Sequence, residues 1–443
     1  MWRDDMDARE NALKALIEIS NNTNFEYDRI FNTYSQKSSY KADFGMLMHG
    51  VIRHISYLDF LIEQIYSKKA KFLQVEARNI LRLGLFEINF NNTPDYAVVN
   101  SYVELAKKYN PRAVSLINAV LRNFLRKKDD IALPKDFLER LSVEYSHPKW
   151  MIKRWMGNYG EDEIESILNF NNTPYGLWVR VNTLKISVEE FLDILNQADI
   201  EFVQNEILPE CIKINYKGEI TNLVGYEEGY WAVQGLSSSL VAKVLAPDEN
   251  DFVLDICAAP GAKTAHIASL MKNTGRILAV DKSAKRLEKV AQNINRLGLN
   301  SVETLAKDAI NYDFGEFFDK ILVDAPCSNT GIFSKKPDAK WNKTISDIES
   351  LAKIQLEILE NAANYLKPNG FMVYSTCSIE VEENILVVNK FLSKHSNFQL
   401  EPFSIPYQTN GTLQILPHEF GMEGFFIAKF KRINTPYMVD ISE

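Results

Sequence analysis

Two of the four cysteines stand where a nucleophile is useful. Asp324-Ala-Pro-Cys327 and Ser375-Thr-Cys377-Ser378 each follow a short apolar run, residues 320–324 and 370–374, of the kind that forms a buried strand. If both runs belong to one doubly wound sheet, both thiols reach the rim at the carboxyl ends of the strands, where such sheets bind ligands. Two thiols on one rim suit alkylation of a pyrimidine carbon. Cytosine C5 is a poor nucleophile until a thiolate adds to C6, giving an enamine-like adduct whose C5 can attack a sulfonium methyl. One cysteine attacks, and a group must then remove the C5 proton, directly or through water, so that the thiolate can leave. Asp324 is placed to hydrogen-bond the N3 and exocyclic-amine edge as charge develops there. Which of Cys327 and Cys377 attacks is left open by the residues themselves.

A second constellation would hold the methyl donor. Phe252-Val-Leu-Asp-Ile-Cys-Ala-Ala-Pro-Gly-Ala-Lys-Thr264 reads as a strand, a loop of small residues and a helix start, which lets a ligand approach the backbone. Neither the G-x-G-x-x-G nor the Walker spacing occurs here, which disfavours NAD and ATP. Asp281 closes the next strand and is placed for ribose hydroxyls, and Asp308 follows the third strand within reach of an adenine or its loop. A nucleoside cofactor without a pyrophosphate fits. Cys211 reads as a small buried hydrophobe, and no C-x-x-C pair suggests zinc, so no metal is expected.

The elements that must position these residues fall into three parts. Residues 8–19, 42–66, 75–88, 95–109 and 113–128 carry apolar residues at helical spacing, broken at Asn91-Asn92-Thr93-Pro94 and Asn110-Pro111, and predict an all-α bundle over 1–130. Residues 131–233 mix helices at 149–159, 162–170 and 188–197 with a strand at 178–182, a connecting α/β subdomain. From 234 to 433 strand runs at 252–255, 276–281, 301–305, 320–324 and 370–374 alternate with helical segments, predicting a Rossmann-like α/β domain, with 434–443 as a tail.

Charge and composition narrow the partner. The 443 residues carry a formal charge of −8, so RNA contact must come from local basic surface rather than from the net field. Residues 1–145 hold 21 Lys and Arg against 19 Asp and Glu, leaving 29 against 39 in the remainder. Lys107, Lys108, Arg112, Arg122, Arg126, Lys127 and Lys128 form a stretch with no acid and are the candidates for phosphate contact in the bundle. Lys149 and Arg154 interleave with Trp150 and Trp155, a pattern suited to RNA, where bases stack on aromatics. The absence of a long apolar run and of a secretory-type amino terminus predicts a cytoplasmic protein without a membrane partner.

Asp255-Ile-Cys-Ala-Ala-Pro-Gly-Ala-Lys-Thr264, Asp324-Ala-Pro-Cys-Ser-Asn-Thr-Gly331, Lys336-Pro-Asp-Ala-Lys-Trp341 and Ser375-Thr-Cys-Ser378 resemble the signature segments of the RsmB/NOP RNA cytosine-C5 methyltransferases. Residues 77–87 and 99–108 are similar to the RNA-binding factor NusB, and a NusB-like domain ahead of the catalytic domain is a layout of bacterial members of that family. The resemblance implies transfer of a methyl group from S-adenosylmethionine to C5 of a cytosine in 16S rRNA, at the position conventionally numbered 967, giving 5-methylcytosine and S-adenosylhomocysteine. It implies that Cys257, Ala258, Ala259, Pro260, Gly261, Ala262, Lys263, Asp281, Asp308 and Asp324 hold the cofactor. It further implies that Cys377 attacks C6, that Cys327 assists breakdown of the adduct, and that Arg180, Asn182, Lys336 and Lys340 lie at the RNA. A monomer acting on rRNA, free or in a small-subunit assembly intermediate, and not on DNA, is expected. Ala262 stands where the family usually has a second glycine, and it is harmless if φ there is negative.

Two other functions compete. An amino-group methyltransferase would have no use for two rim thiols, and DNA cytosine enzymes draw their nucleophile from the Pro-Cys loop alone. A non-catalytic RNA-binding factor would not need Cys327, Cys377, Asp324 and Asp281 together.

Overall fold

The computed structural model describes residues 5–22, 26–66, 68–216 and 218–433; the expected tail at 434–443 lies outside the described residues. The chain divides into two compact units, Met1–Thr173 with Lys336–Asn342, and Pro174–Lys335 with Lys343–Glu443.

The first unit is helical: α1 (Asp5–Asn21), α2 (Tyr27–Lys37), α3 (Lys41–Arg53), α4 (Ile55–Tyr66), α5 (Val75–Phe90), α6 (Asp95–Tyr109), α7 (Val114–Lys127), α8 (Phe137–Glu144), α9 (Lys149–Tyr159) and α10 (Glu161–Asn172). Helix α5 is buried nearly all round, from Ala77 through Ile88 with Arg78 the exception, and therefore forms the axis of the bundle. Its one buried acid, Glu87, is met by Arg9 in a two-pronged pair at 2.9 and 2.8 Å and by the Tyr102 hydroxyl at 2.9 Å. The Glu87 charge is thus paired and hydrogen-bonded, the condition under which burial is tolerable.

Two departures from the sequence reading have identifiable causes. The helix expected over 42–66 breaks at His54 into α3 and α4. The last turn of any helix leaves carbonyls without intrahelical donors. Here Trp341 Nε1 donates to the Ile52 carbonyl at 2.8 Å and Lys340 Nζ to the Arg53 carbonyl at 2.9 Å, so residues far along the chain cap α3. Helix α2 escaped the pattern search because only Tyr27 and Ile30 of its eleven residues are buried.

The second unit begins with β1 (Leu177–Val181), α11 (Val188–Gln197), β2 (Phe202–Gln204), β3 (Cys211–Ile214) and β4 (Trp231–Val233), an antiparallel sheet in the order β2-β3-β1-β4. Ser187 and Glu190 form a reciprocal capping box at the start of α11.

The larger sheet is built from β5 (Phe252–Ile256), β6 (Arg276–Asp281), β7 (Val302–Ala306), β8 (Phe318–Asp324), β9 (Leu366–Thr376), β10 (Phe398–Leu400), β11 (Thr412–Ile415) and β12 (Phe425–Arg432). Helices α12 (Leu236–Leu245), α13 (Ala262–Leu270), α14 (Ala284–Leu297), α15 (Ile345–Asn364) and α16 (Ile385–Lys394) alternate with these strands. The order is β10-β12-β9-β8-β5-β6-β7, with β11 on β12. Strands β5 to β9 pair in parallel, and β12 returns antiparallel beside β9. The chain steps from β5 outward to β6 and β7, then crosses to β8 on the other side of β5. The switch point between β5 and β8 opens a crevice at their carboxyl ends, the preferred ligand position in such sheets.

Candidate active site

Strand register brings the reactive segments together. Asp324 at the end of β8 pairs with Ser375 near the end of β9, so the loops carrying Cys327 and Cys377 leave adjacent strands at the same level. The two sulfurs lie 3.0 Å apart. Asn329, in the left-handed region at φ 63°, places its carboxamide beside them: Cys377 Sγ donates to Asn329 Oδ1 at 3.2 Å, and Asn329 Nδ2 donates to the Cys327 carbonyl at 3.2 Å.

The two thiols share a hydrogen bond. The hydrogen bond with Cys377 and then burial push the Cys327 thiol well above the ordinary cysteine range, which keeps its proton in place. Beside them, Lys263 Nζ pairs with Asp324 Oδ2 at 2.8 Å, while Asp324 Oδ1 accepts from Ser375 Oγ at 2.9 Å. Burial disfavours the Lys263 ammonium, but the Asp324 carboxylate more than offsets this and raises it above the usual lysine value, with Cys377 contributing. A fixed positive charge therefore stands in the field of Cys377.

The crevice beyond β5 is shaped by the loop 257–261. Cys257 and Gly261 adopt φ 63° and 99°, and a Cβ on Gly261 would meet Val290 at 3.1 to 3.2 Å, so helix α14 closes in on bare backbone. Ala262 opens α13 and is not among the positive-φ residues, so alanine is unstrained where a glycine is usual. Asp281, 2% exposed, accepts from Ser283 N at 2.9 Å and Ala259 N at 3.3 Å, with Arg286 at 3.4 Å. Arg286 also donates to the Ala259 carbonyl at 2.7 Å, a bracing role that sequence reasoning missed. Asp308 is exposed and paired with Lys282 at 2.7 Å.

This donor set fits a cationic nucleoside. Carboxylates stand at or just beyond the ends of three strands, and Lys263, Arg286 and Lys282 are each paired with one of them.

The chain is 34% identical over 441 residues to the probable ribosomal RNA small subunit methyltransferase B of Bacillus subtilis (strain 168), covering 96% of this chain and 98% of the relative. A probable enzyme of the same name from Synechocystis sp. is 35% identical, covering 87% of this chain and 90% of the relative. This chain belongs to the RsmB/F family of 16S rRNA methyltransferases. The family model described as 16S rRNA methyltransferase RsmB/F matches residues 242–431, the NusB family 6–126, and the RsmF/B-like ferredoxin-like domain 147–221. The solved structure titled Crystal Structure of PH0851 superposes with a TM-score of 0.80 at 29% identity, covering 96% of this chain and 99% of that one. NSun6 from Pyrococcus horikoshii, solved with SFG, gives 0.60 at 27% identity over 65% of this chain and 99% of that one. This RsmB/F chain is an S-adenosylmethionine-dependent rRNA methyltransferase with a NusB-type helical domain. Among its described residues no helix is long and apolar enough to cross a membrane.

The residues expected at the RNA separate into two groups. Arg112, Arg122, Arg126, Lys127 and Lys128 are exposed; Lys107 and Lys108 are exposed but paired with Glu104 and Glu10, Lys149 with Glu139, and Lys336 with Asp28 at 3.8 Å. Arg154 is half-buried. The other three expectations need correction. Arg180 is 2% exposed, and its guanidinium donates to Gln234 Oε1 and the Val181 carbonyl. Asn182 is buried with its Nδ2 shared between the Gly229 and Leu297 carbonyls at 3.0 Å each. Lys340 is fully buried and bonded to Arg53 and Asn172. Their buried donors are spent on carbonyls and side-chain amides of the fold, because a buried donor without a partner costs about 1–3 kcal/mol.

Proposed function

We propose that this chain makes 5-methylcytosine in small-subunit rRNA through a covalent bond between Cys377 and C6 of the target cytosine. The 3.0 Å approach of two thiols beside the Lys263–Asp324 pair carries the reading. Bound S-adenosylmethionine supplies an electrophilic methyl group from the crevice lined by residues 257–263, Asp281 and Asp308. Everything else falls to the chain.

Cys377, next to the Lys263 ammonium, adds as thiolate to C6, and the C5=C6 electron pair becomes available at C5. The Lys263–Asp324 pair borders the position of the pyrimidine edge, where Asp324 accepts from the exocyclic amine and Lys263 offsets the charge that develops on the ring. Once C5 is methylated, its proton passes to a base directly or through water. The C5–H electrons re-form the double bond, the C6–S bond breaks, and Cys377 leaves as a thiolate. Cys327, which keeps its proton, donates a hydrogen bond to that departing sulfur and so assists release.

The test is transfer of labelled methyl to small-subunit rRNA transcripts with the modified base mapped. Cys377→Ala is expected to abolish turnover, and Cys327→Ala to accumulate a denaturant-resistant protein–RNA species, because attack survives while release fails. That species appearing with Cys377→Ala instead would exchange the two roles, and label on an atom other than cytosine C5 would remove the mechanism.

A further inference from the structure

We infer that Glu383 is a positioning residue that sets the separation of the two thiols by gripping, with a single carboxylate, the residue that follows each of them. The inference rests on the cysteine-pair reading above. Ser328 follows Cys327 and Ser378 follows Cys377. Glu383 Oε1 accepts from Ser328 N at 2.8 Å and from Gln355 Nε2 at 3.0 Å, and Oε2 accepts from the hydroxyls of both Ser328 and Ser378. Ser328, Ser378 and Glu383 are all fully buried.

The rest of the loop pair is stitched around this point. Thr330 Oγ1 meets Ser378 Oγ at 3.1 Å and accepts from Ile379 N at 3.1 Å; Gly331 N donates to the Cys377 carbonyl at 3.0 Å. Gln355 braces the first loop further through the Pro326 carbonyl at 2.9 Å. Glu383 is itself anchored, since its own carbonyl accepts from the Tyr374 hydroxyl on β9. Each of the two catalytic loops is therefore referred to the same rigid acceptor, and through it to the strand that delivers Cys377.

The design is costly in stability alone. The donors that meet this carboxylate are neutral, and burial pushes the Glu383 carboxyl upward despite the hydrogen bonds that favour its anion. Apolar packing would fill the same space with less penalty. What an apolar residue could not supply is a divergent acceptor that holds two loops from two strands at one distance. Its negative charge also opposes ionisation of Cys327, in keeping with a thiol that donates rather than attacks.

The experiment compares full-length wild type with Glu383→Ala and Glu383→Gln. Thiol separation is read as the rate at which diamide, which takes up two electrons and two protons, oxidises Cys327 and Cys377 to a disulfide, followed by peptide mass spectrometry. Thermal melts confirm folding, and methyl transfer gives kcat and KM. Glu383→Ala is expected to slow disulfide closure about 10-fold and lower kcat about 100-fold, with KM within about twofold, the loss expected for a misplacement near 1 Å. Glu383→Gln, which keeps an acceptor and the shape, recovers most of both. A folded Glu383→Ala with closure rate and kcat within twofold of wild type overturns the inference. If Glu383→Ala does not fold, Ser378→Ala removes one arm of the grip and is read in the same way. Should wild type fail to methylate rRNA while closure still depends on Glu383, the proposed function fails and the positioning stands; closure that ignores Glu383 ends the positioning whatever the activity.

Discussion

Lys340→Met separates a structural lysine from an RNA-binding one. Lys340 is fully buried, and its Nζ makes two hydrogen bonds, 2.9 Å to the Arg53 carbonyl and 3.0 Å to Asn172 Oδ1, the number of N–H groups a neutral amine carries. Burial and then the nearby Arg53 guanidinium hold its pKa well below the ordinary lysine value, and the imidazoles of His54 and His147 feel its charge in turn. Methionine keeps the apolar stem and orphans two acceptors, at about 1–3 kcal/mol where the donors are not replaced. It also removes a titration. A cationic group with a depressed folded pKa contributes stability that is fully present above its unfolded value and is lost as pH falls toward the folded one. Wild type should therefore gain on Lys340→Met as pH rises from 7 toward 10, by up to about 1.4 kcal/mol per pH unit. Urea denaturation of both proteins at pH 7, 8, 9 and 10 reads the difference. RNA affinity against salt supplies the second axis: a phosphate contact contributes about 0.9 to the log–log slope, and Lys340→Met should leave that slope unchanged. A stability difference flat across these pH values, or a slope reduced by about one contact, would refute the reasoning.

Other changes have clear expected outcomes. Gly261→Ala forces a Cβ into φ 99° and against Val290, so S-adenosylmethionine affinity measured by titration calorimetry should fall at least about 10-fold, whereas Ala262→Gly should stay within about twofold. Asp255 is fully buried, bonded by Thr264 Oγ1 at 2.5 Å, and burial raises its carboxyl to about 7. Its folded pKa lies above the unfolded one, so its stabilisation is lost as pH rises from about 4 to 7, and Asp255→Asn should flatten that part of the denaturation profile, by at most about 4 kcal/mol. In the helical unit, burial lowers His49 to about 4 and His54 to about 3. Both are depressed, so their stabilisation is present above about pH 6.5 and lost as pH falls; the hydrogen-exchange protection factors of α3 and α4 should fall between pH 6 and 4, and less so in His54→Phe. Charge reversal of Arg122 and Arg126, which lie one turn apart on α7 opposite its buried Ile117, Val120, Leu121 and Phe124, should reduce the salt slope for RNA by about one unit each, and an unchanged slope would take α7 off the RNA.

How much of this was legible in the sequence depended on how local the determining contacts are. Strands β5, β6 and β8 and the loops after them could be read because a parallel strand buried on both faces is a continuous apolar run, ending where an Asp or a small residue begins the loop. The convergence of Cys327 and Cys377 followed from chain order and the rule for sheet crevices, without any knowledge of register. Strands β10 to β12 do not stand out in the sequence: they pair antiparallel at one edge, and β12 is recognised only by its partners β9, β10 and β11. The buried polar residues share another cause. Arg180, Asn182 and Lys340 look like surface groups because charge and amides usually are, but each meets carbonyls or amides brought from 47 to 287 positions away, and no window of sequence contains both halves of such a pair. Glu383 was hidden for the same reason, though it lies only six residues past Cys377. Its neighbour Ser378 is local, but Ser328 is not, and a carboxylate in an acidic stretch reads as solvated surface until the second serine is seen to reach it. The residues that can be picked out from sequence are therefore those that follow the strand ends, where such sheets bind ligands. Those that hold such residues in place emerge only from pairing across the fold, and the polar side chains among them are the ones a surface reading places wrongly.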